Sequence, residues 1–530
     1  MAKPNILFLL SDEHSFRFFS HVSEADGGEP VDTPHLDRLA SRSANFSNAY
    51  CQMPLCTPSR LCLLSGREAR GAGAWTNDSI LGPDLATLPG VLRTAGYETC
   101  LVGKMHLGGS RQYVGFQHRP YGDLTGGTGH QGQEVPEDYD GDKFTWRFDG
   151  AGELEYPESA LQEQVLSQET IAWIREHRSE KPDTPWLVCA SFSRPHFPLT
   201  APKRWIDRYK DKDIGTPKAP ASGDSYDHPM CVKMREGFRV DEISEENRRK
   251  MRVGYFACVS YLDEILGDLL SRLELSGDLE NTIIVYCSDH GEMAGEHGSW
   301  WKQTFHEASA RVPMMVSLPD HRSGDLNGAR LDTPVALIDL FPTLCEFANA
   351  DIPMAIDGAS LKAAIEGAAE PDSRPIVCDN LIPRWGEGSE FRMVRYEGYK
   401  YIGFRDGSEL MFDLEADPLE QVDLIRRERS EEVSKFLDEM RSYVKRTMDF
   451  DAAEHERVEG TARLARDYPL EGVPNHGNLY HLKDGRIVKG EEVVYEPKAI
   501  AKSPEGIAGK DWRDQNMKSQ SLPSTVAKRD

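Results

Sequence analysis

The chain has 530 residues, 87 acidic against 62 basic side chains, a formal net charge of −25 and 39% hydrophobic residues. That length accommodates a large domain and a smaller one, and so acidic a surface excludes general nucleic-acid binding while leaving room for a local positive pocket. The apolar run at residues 6–10 is too short for a secretory leader, no stretch is apolar enough to span a membrane, and ten cysteines are ordinary usage, so a cytoplasmic protein with no membrane partner and reduced thiols is expected.

Residues 5–10 read as a buried strand. Residues 84–95 have helical periodicity and stop at Gly96, and residues 98–102 form the next strand. A helix is expected over 161–177, then a strand over 186–192. Met251, Tyr255, Val259, Leu262, Leu266, Leu269 and Leu273 recur at helical spacing over residues 248–275. Residues 282–287 and 312–318 read as strands, and 334–348 as a helix. Continuous apolar strands alternating with helices imply an α/β fold with a mostly parallel sheet covered on both faces.

The pattern changes near residue 376. Short strands at 392–396, 400–404 and 410–414 are joined by turns at Glu397-Gly398 and Asp406-Gly407, an antiparallel meander. An amphipathic helix follows over 430–448. Three segments result: an α/β domain over 1–375, an antiparallel sheet with a helix over 376–450, and a polar extension over 451–530. The extension carries a hairpin across Asp484-Gly485 and reads as an oligomerisation arm, so a homo-oligomer is expected.

Ligands of open α/β sheets bind beyond the carboxyl ends of the strands. Four expected strands end in reactive groups: Asp12, Glu13 and His14; Lys104 and His106; Arg194 and His196; Asp289, His290 and Glu292. One polar strand end is ordinary loop composition, whereas four on one edge make a site. Asp12, Glu13, Asp289 and His290 suit a divalent cation. For any one carboxylate alone, an N-cap or a solvated loop position is the competing reading. Lys104, His106, Arg194, His196, Arg60 and Lys302 are cationic or proton-transferring, which suits an oxyanion such as sulfate or phosphate.

The stretch CQMPLCTPSRLCLLSGR at 51–67 holds three cysteines within twelve residues. Their spacing does not fit zinc, which favours closer pairs with further partners. Thr57-Pro58 ahead of an apolar run marks a helix start, so Cys56 sits at a positive helix end. A thiolate is favoured there, and so is any nucleophile that attacks an anion.

Cys56-Thr57-Pro58-Ser59-Arg60, continuing to Ser65-Gly66-Arg67, resembles the first signature of the type I sulfatases, the formylglycine-dependent branch of the alkaline phosphatase superfamily. Ala95-Gly96-Tyr97 through Gly103-Lys104-Met105-His106-Leu107-Gly108 resembles the second signature, with Met105 where Trp is common. The resemblance spans about residues 3–450. It implies an alkaline-phosphatase-like core, a mostly parallel sheet sandwiched by helices, with a small C-terminal antiparallel sheet, a helix and an extended tail.

The implied activity is hydrolysis of a sulfate ester to alcohol and inorganic sulfate. By the same resemblance, a maturation enzyme that reads Pro58 and Arg60 converts Cys56 to formylglycine, an aldehyde hydrated to a geminal diol; Cys51 and Cys62 are buried filler. Asp12, Glu13, Asp289, His290 and residue 56 hold one divalent metal, Ca2+ first and Mn2+ left open by the imidazole. Arg60 and Lys104 hold the diol, one hydroxyl attacks sulfur, and His106 takes the proton of the other as sulfate leaves. His196 and Lys302 bind sulfate oxygens and assist the leaving alcohol, and Arg194, Asn77 and Trp301 are assigned to the substrate. His297 reads as structural, and Glu307 and Arg311 as a structural ion pair.

YFACVSYLDEILGDLL, CSDHGEMAGEHG, HEASARVPMM and LMFDLEADPLEQVDL resemble choline-sulfatase-like members. Choline would need an aromatic cage or an acidic partner, and Trp75, Trp146, Trp300 and Trp301 are the candidates. The expected substrate is a small organic or aryl sulfate. The alternative is a phosphonate monoester or phosphodiester hydrolase that uses the same formylglycine.

Overall fold

The computed structural model describes residues 3–123, 135–154, 156–474 and 479–490. Its main sheet contains β1 (Asn5–Asp12), β2 (Ala44–Tyr50), β3 (Glu98–Gly103), β4 (His118–Tyr121), β5 (Trp186–Pro195), β6 (Thr282–Ser288), β7 (Arg311–Ser317) and β8 (Ala329–Leu331). They run in the order β8–β2–β7–β6–β1–β5–β3–β4. The central pairs β6–β1, β1–β5 and β5–β3 are parallel, and β7 is antiparallel to both β2 and β6. Strands β3, β5 and β6 are buried along their whole length, as their unbroken apolar runs require of strands covered on both faces.

Two long helices cover the sheet. Gln162–Glu180 buries Leu166, Ile171 and Ile174. Glu245–Leu275 starts at Ser244, whose side chain accepts from the Asn247 N–H, and it buries every apolar residue of the periodic set read from the sequence.

The helix expected over 84–95 begins only at Leu88. Thr87 caps it by accepting from the Gly90 N–H at 3.2 Å, and Pro89 is compatible with its first turn, so 84–87 stay outside. The helix expected over 334–348 is shorter as well. Val335–Ala336 pairs with β2, and the Asp339 carboxylate accepts from the Ala336 and Ala359 N–H groups before helix Leu340–Phe347 begins. Periodicity along the chain does not register a partner strand almost 300 residues away.

The C-terminal sheet has four antiparallel strands: Ile376–Asn380, Phe391–Tyr396, Tyr399–Phe404 and Glu409–Asp413. Helix Glu431–Thr447, capped by Ser430, packs on it. Helix Phe450–Asp467 spans the boundary read at residue 451 and lies within the main compact unit. Its Asp451 and Glu454 pair with Arg405 at 2.7 Å each, and Glu456 pairs with Arg70 at 2.5 Å. Residues Met1–Gly477 form one compact unit, so the sheet at 376–450 does not separate from the α/β core. Within the second unit, Leu479–His481 and Ile487–Lys489 form the hairpin read across Asp484-Gly485. Residues 475–478 and 491–530 of the extension lie outside the described residues. No helix among the described residues is long and apolar enough to cross a membrane.

Candidate active site

The parallel strands β1, β3, β5 and β6 deliver Asp12, Lys104, His196 and Asp289 to one edge of the sheet. Helix Cys56–Ser65 closes that edge and is buried at all ten positions. Its preceding residue, Leu55, offers no side-chain cap. Instead Asn77 Oδ1 accepts from the Thr57 N–H at 3.2 Å, while Thr57 Oγ1 donates to the Asn77 carbonyl at 3.1 Å and to the His106 carbonyl. Ser59 Oγ donates to the Asp289 carbonyl, tying the first helical turn to the end of β6. The helix stops at Gly66, whose φ of +66° suits glycine.

Cys56 heads the helix. Its sulfur lies 3.2 Å from His290 Nε2 and 3.6 Å from Asp12 Oδ1. Asp12, Cys56, Asp289 and His290 each offer one ligand atom within 4.8 Å of the others, and all four are buried. His290 Nδ1 sits 2.9 Å from the Gly291 carbonyl, an acceptor only, so that nitrogen carries the proton and Nε2 faces the cluster. Two buried carboxylates, one imidazole and the side chain of residue 56 form a donor set that fits a divalent cation.

Arg60 braces the acids. Its Nη2 is 2.7 Å from Asp12 Oδ2, its Nε is 2.8 Å from Asp289 Oδ2, and Nη1 donates to Ser191 Oγ at 2.9 Å and the Lys104 carbonyl at 2.8 Å. Lys104 Nζ is 2.8 Å from Asp12 Oδ2. Burial pushes Asp12 up, but the cationic Lys104, Arg60 and His290 beside it hold the carboxyl well below its usual range. Burial and the Asp12 charge raise its neighbour Asp289 to about 6. For Cys56, burial and Asp12 raise the thiol, yet Lys302, Lys104 and His290 bring it well below its ordinary value. The same cations would favour an anion bound beside residue 56.

Glu13 is not in the four-donor cluster, but with Asp12 and His196 it forms a second buried set whose donor atoms lie within 4.8 Å of one another. Its Oε2 lies 2.9 Å from Lys302 Nζ and 3.2 Å from His196 Nε2. With φ at +68°, its backbone N–H donates to Asp289 Oδ1 at 3.1 Å, while its side chain turns to the cationic half. Burial raises the Glu13 carboxyl well above its usual value; Lys302 opposes this, and Glu292 adds to it. His196 Nδ1 contacts the Phe197 carbonyl at 2.6 Å, and its Nε2 is 3.8 Å from Asp12 Oδ1. Burial, then Lys302 and Lys104, lower His196 to about 3, so it is neutral at ordinary pH. His106 has a φ of +56°, and its buried Nδ1 has no hydrogen-bond partner among the described residues.

The three residues assigned to the substrate do other work. β5 continues through Pro195, which sets Arg194 inside the strand, 3.5 Å from Glu163 and hydrogen-bonded to the Pro198 carbonyl and Cys258; it braces the covering helices. Asn77 caps the nucleophile helix. Trp301 is 1% exposed and forms a back wall against Phe144, Phe197 and Phe238. Trp75 and Trp300 are buried, and Trp146 packs on Tyr139. Sequence reasoning missed Ser191, which lies within a strand. Glu292, read only as one of the groups at a strand end, accepts from the Ala294 and Trp301 N–H groups through Oε1 at 2.8 and 2.6 Å and shapes the loop carrying Lys302. His297 stacks on His306 at 4.0 Å; Arg311 lies 3.4 Å from Glu307, and Cys51 and Cys62 are free and buried.

A family model described as Sulfatase matches residues 4–350, and one described as N-sulphoglucosamine sulphohydrolase, C-terminal, matches residues 295–446. The chain is 31% identical over 540 residues to a choline-sulfatase of Rhizobium meliloti, covering 92% of this chain and 99% of that protein. It is 28% identical over 498 residues to an arylsulfatase of Clostridium perfringens, covering 88% and 98%. Among solved structures, a phosphonate monoester hydrolase from Silicibacter pomeroyi shares the fold with a TM-score of 0.69 at 21% identity, covering 93% of this chain and all of that one. Together with the helix-borne Cys56 and the acids around it, these matches show that the chain belongs to the sulfatase family and is a sulfuric ester hydrolase.

Proposed function

We propose that the protein hydrolyses a small organic or aryl sulfate through formylglycine made from Cys56 by a maturation enzyme, with one divalent metal held by Asp12, Asp289, His290 and residue 56. The observation that carries this reading is the buried four-donor cluster at the first residue of the nucleophile helix. When present, the metal supplies Lewis-acid polarisation beside residue 56, and the hydrated aldehyde supplies an oxygen nucleophile that a thiol cannot. Oxygen donors favour Ca2+, and the His290 imidazole keeps Mn2+ in play.

The chain's own groups have separable tasks. Arg60 fixes both carboxylates, so they do not spread apart when the anion arrives. Lys104 and Lys302 offer ammonium groups to sulfate oxygens in a site where buried charge is strongly felt. His196 presents Nε2 to the site with its Nδ1–H held by the Phe197 carbonyl, so as a neutral imidazole it is placed to accept a hydrogen bond there from the hydroxyl of the departing alcohol. His106 has an unpaired imidazole nitrogen, as a proton acceptor near the nucleophile requires. Glu13 holds Lys302 and His196 in register.

Peptide mass spectrometry across Cys56 tests the modification: loss of sulfur and gain of oxygen supports it, and an intact thiol from a host with the maturation enzyme refutes it. Parallel turnover of phenyl sulfate and phenyl phosphonate esters tests the reaction. The fold shared with phosphonate monoester hydrolases makes phosphonates the second reading, and equal turnover of both would favour it. A cytoplasmic location accords with ten unpaired, buried cysteines. Val458, 55% exposed on helix Phe450–Asp467, and the half-exposed Leu470 beyond it support a homo-oligomer, and a monomer in light scattering would reject it.

A further inference from the structure

Phe197 joins the reacting centre to a second cluster. Its ring stacks on His196 at 4.0 Å, with 29° between the planes, and lies 5.0 Å from Lys302 Nζ. The Arg147 guanidinium sits 4.6 Å from that same ring and 4.6 Å from the ring of Phe144. Phe144 in turn meets Trp301 at 5.6 Å. The wall of the site is therefore aromatic, with a guanidinium one ring away from the catalytic ammonium.

Arg147 feels the Glu13 carboxylate at a distance but makes no direct contact with a carboxylate among the described residues. It has no ion pair and no side-chain hydrogen bond among the described residues, although it is half-buried. Arg239 provides an internal control. It lies 5.6 Å from the same Phe144 ring but is neutralised by Asp142 at 2.6 Å and by Glu242. Arg384 repeats the pattern of Arg147: exposed, 5.0 Å from the Trp385 ring, and without a carboxylate partner among the described residues. Trp385 reaches Trp301 through Phe238, at 4.7 and 5.0 Å. In a chain with 25 excess negative charges, two arginines with no carboxylate partner among the described residues along one aromatic wall make a local positive field.

We propose that Arg147, on the face formed by Phe197 and Phe144, is a subsite for a second negative charge on the alcohol half of the substrate. The preferred ester is then planar where it passes Phe197 and carries a carboxylate or a further sulfate beyond the scissile one. This rests on the sulfatase reading of the site above. A guanidinium over two aromatic rings, with no carboxylate partner among the described residues, has N–H donors to offer such a group in bidentate contact. The same charge repels a quaternary ammonium, so choline sulfate is a poor fit.

The test uses full-length, metal-loaded enzyme with Cys56 converted, and compares kcat/KM for 4-carboxyphenyl sulfate, phenyl sulfate and 4-(trimethylammonio)phenyl sulfate. The expected order is carboxylate over neutral over cation, with about tenfold between the ends. Arg147→Met should compress that span to within about twofold, and Arg147→Lys, which keeps the charge, should retain most of it. A preference for the cationic ester, or an equal loss on all three esters in Arg147→Met, overturns the subsite. If none of the esters turns over, the sulfatase reading fails, and calorimetric binding of 4-hydroxybenzoate against phenol judges the subsite by itself. Tighter binding of the carboxylate that is lost in Arg147→Met upholds it, and equal binding rejects it.

Discussion

The molecule buries two dense charge clusters, and they are built differently. Behind the C-terminal sheet, Lys400 is fully buried between Glu307 at 2.6 Å and Glu420 at 2.8 Å and also donates to the Phe305 carbonyl. Glu307 is further held by Tyr50, and its backbone N–H donates to Glu420. In that cluster every charge has an ion-pair partner inside it, although Glu307 Oε1 meets only Lys400 and makes no hydrogen bond of good geometry among the described residues. At the edge of the main sheet, Arg60, Lys104, Lys302 and two histidines share Asp12, Glu13 and Asp289, and Glu13 Oε1 and His106 Nδ1 have no hydrogen-bond partner among the described residues. Buried polar groups are normally satisfied, so a cluster that is complete serves the fold and one with capacity to spare serves a ligand.

The largest effects should separate the two clusters. His106→Ala should lower kcat by roughly 10²–10⁴, while the melting temperature stays close to that of the parent. Lys400→Met should do the reverse: it leaves Glu307 and Glu420 buried together and costs about 3–5 kcal/mol by denaturant unfolding, with kcat per folded molecule nearly unchanged. If Lys400→Met removed activity without loss of stability, the contrast would fail.

A smaller effect concerns pH. His228 is buried against Phe404 with Nε2 at 3.1 Å from Ser408, and burial lowers it from 6.5 to about 4. The unfolded chain binds that proton near pH 6.5 and the folded chain only near 4. Stability from this group is therefore complete above about pH 6.5 and falls as pH drops toward 4, by on the order of 3 kcal/mol. His228→Phe should flatten unfolding free energy over that window, and an unchanged slope would assign the acid lability elsewhere. The smallest expected effect on activity is that of Arg194→Met: its lost contacts to the buried Glu163 and the Pro198 carbonyl should lower stability, with KM unchanged; a raised KM would return Arg194 to the substrate.

Much of the site was legible because parallel strands place consecutive chain features on a common edge. Apolar runs followed by Asp12, Lys104, His196 and Asp289 identified that edge without knowledge of any contact, and the signature around Cys56 identified the chemistry. Arg194, read at a strand end, lies within the strand because β5 runs three residues beyond its last apolar position. Glu13 and Asp12 are adjacent and chemically alike, and only a positive φ separates a group among the metal donors from one beside Lys302.

The sequence by itself determined the α/β class, the family and the residues at the four strand ends, because those depend on hydrophobic period and on motifs that are contiguous in the chain. Tertiary structure alone decided which carboxylates face each other, that Arg60 spans Asp12 and Asp289, and that Arg147 shares a ring with the catalytic lysine. Those are relations between residues up to about 290 positions apart, set by sheet order and side-chain packing, and no local pattern records them.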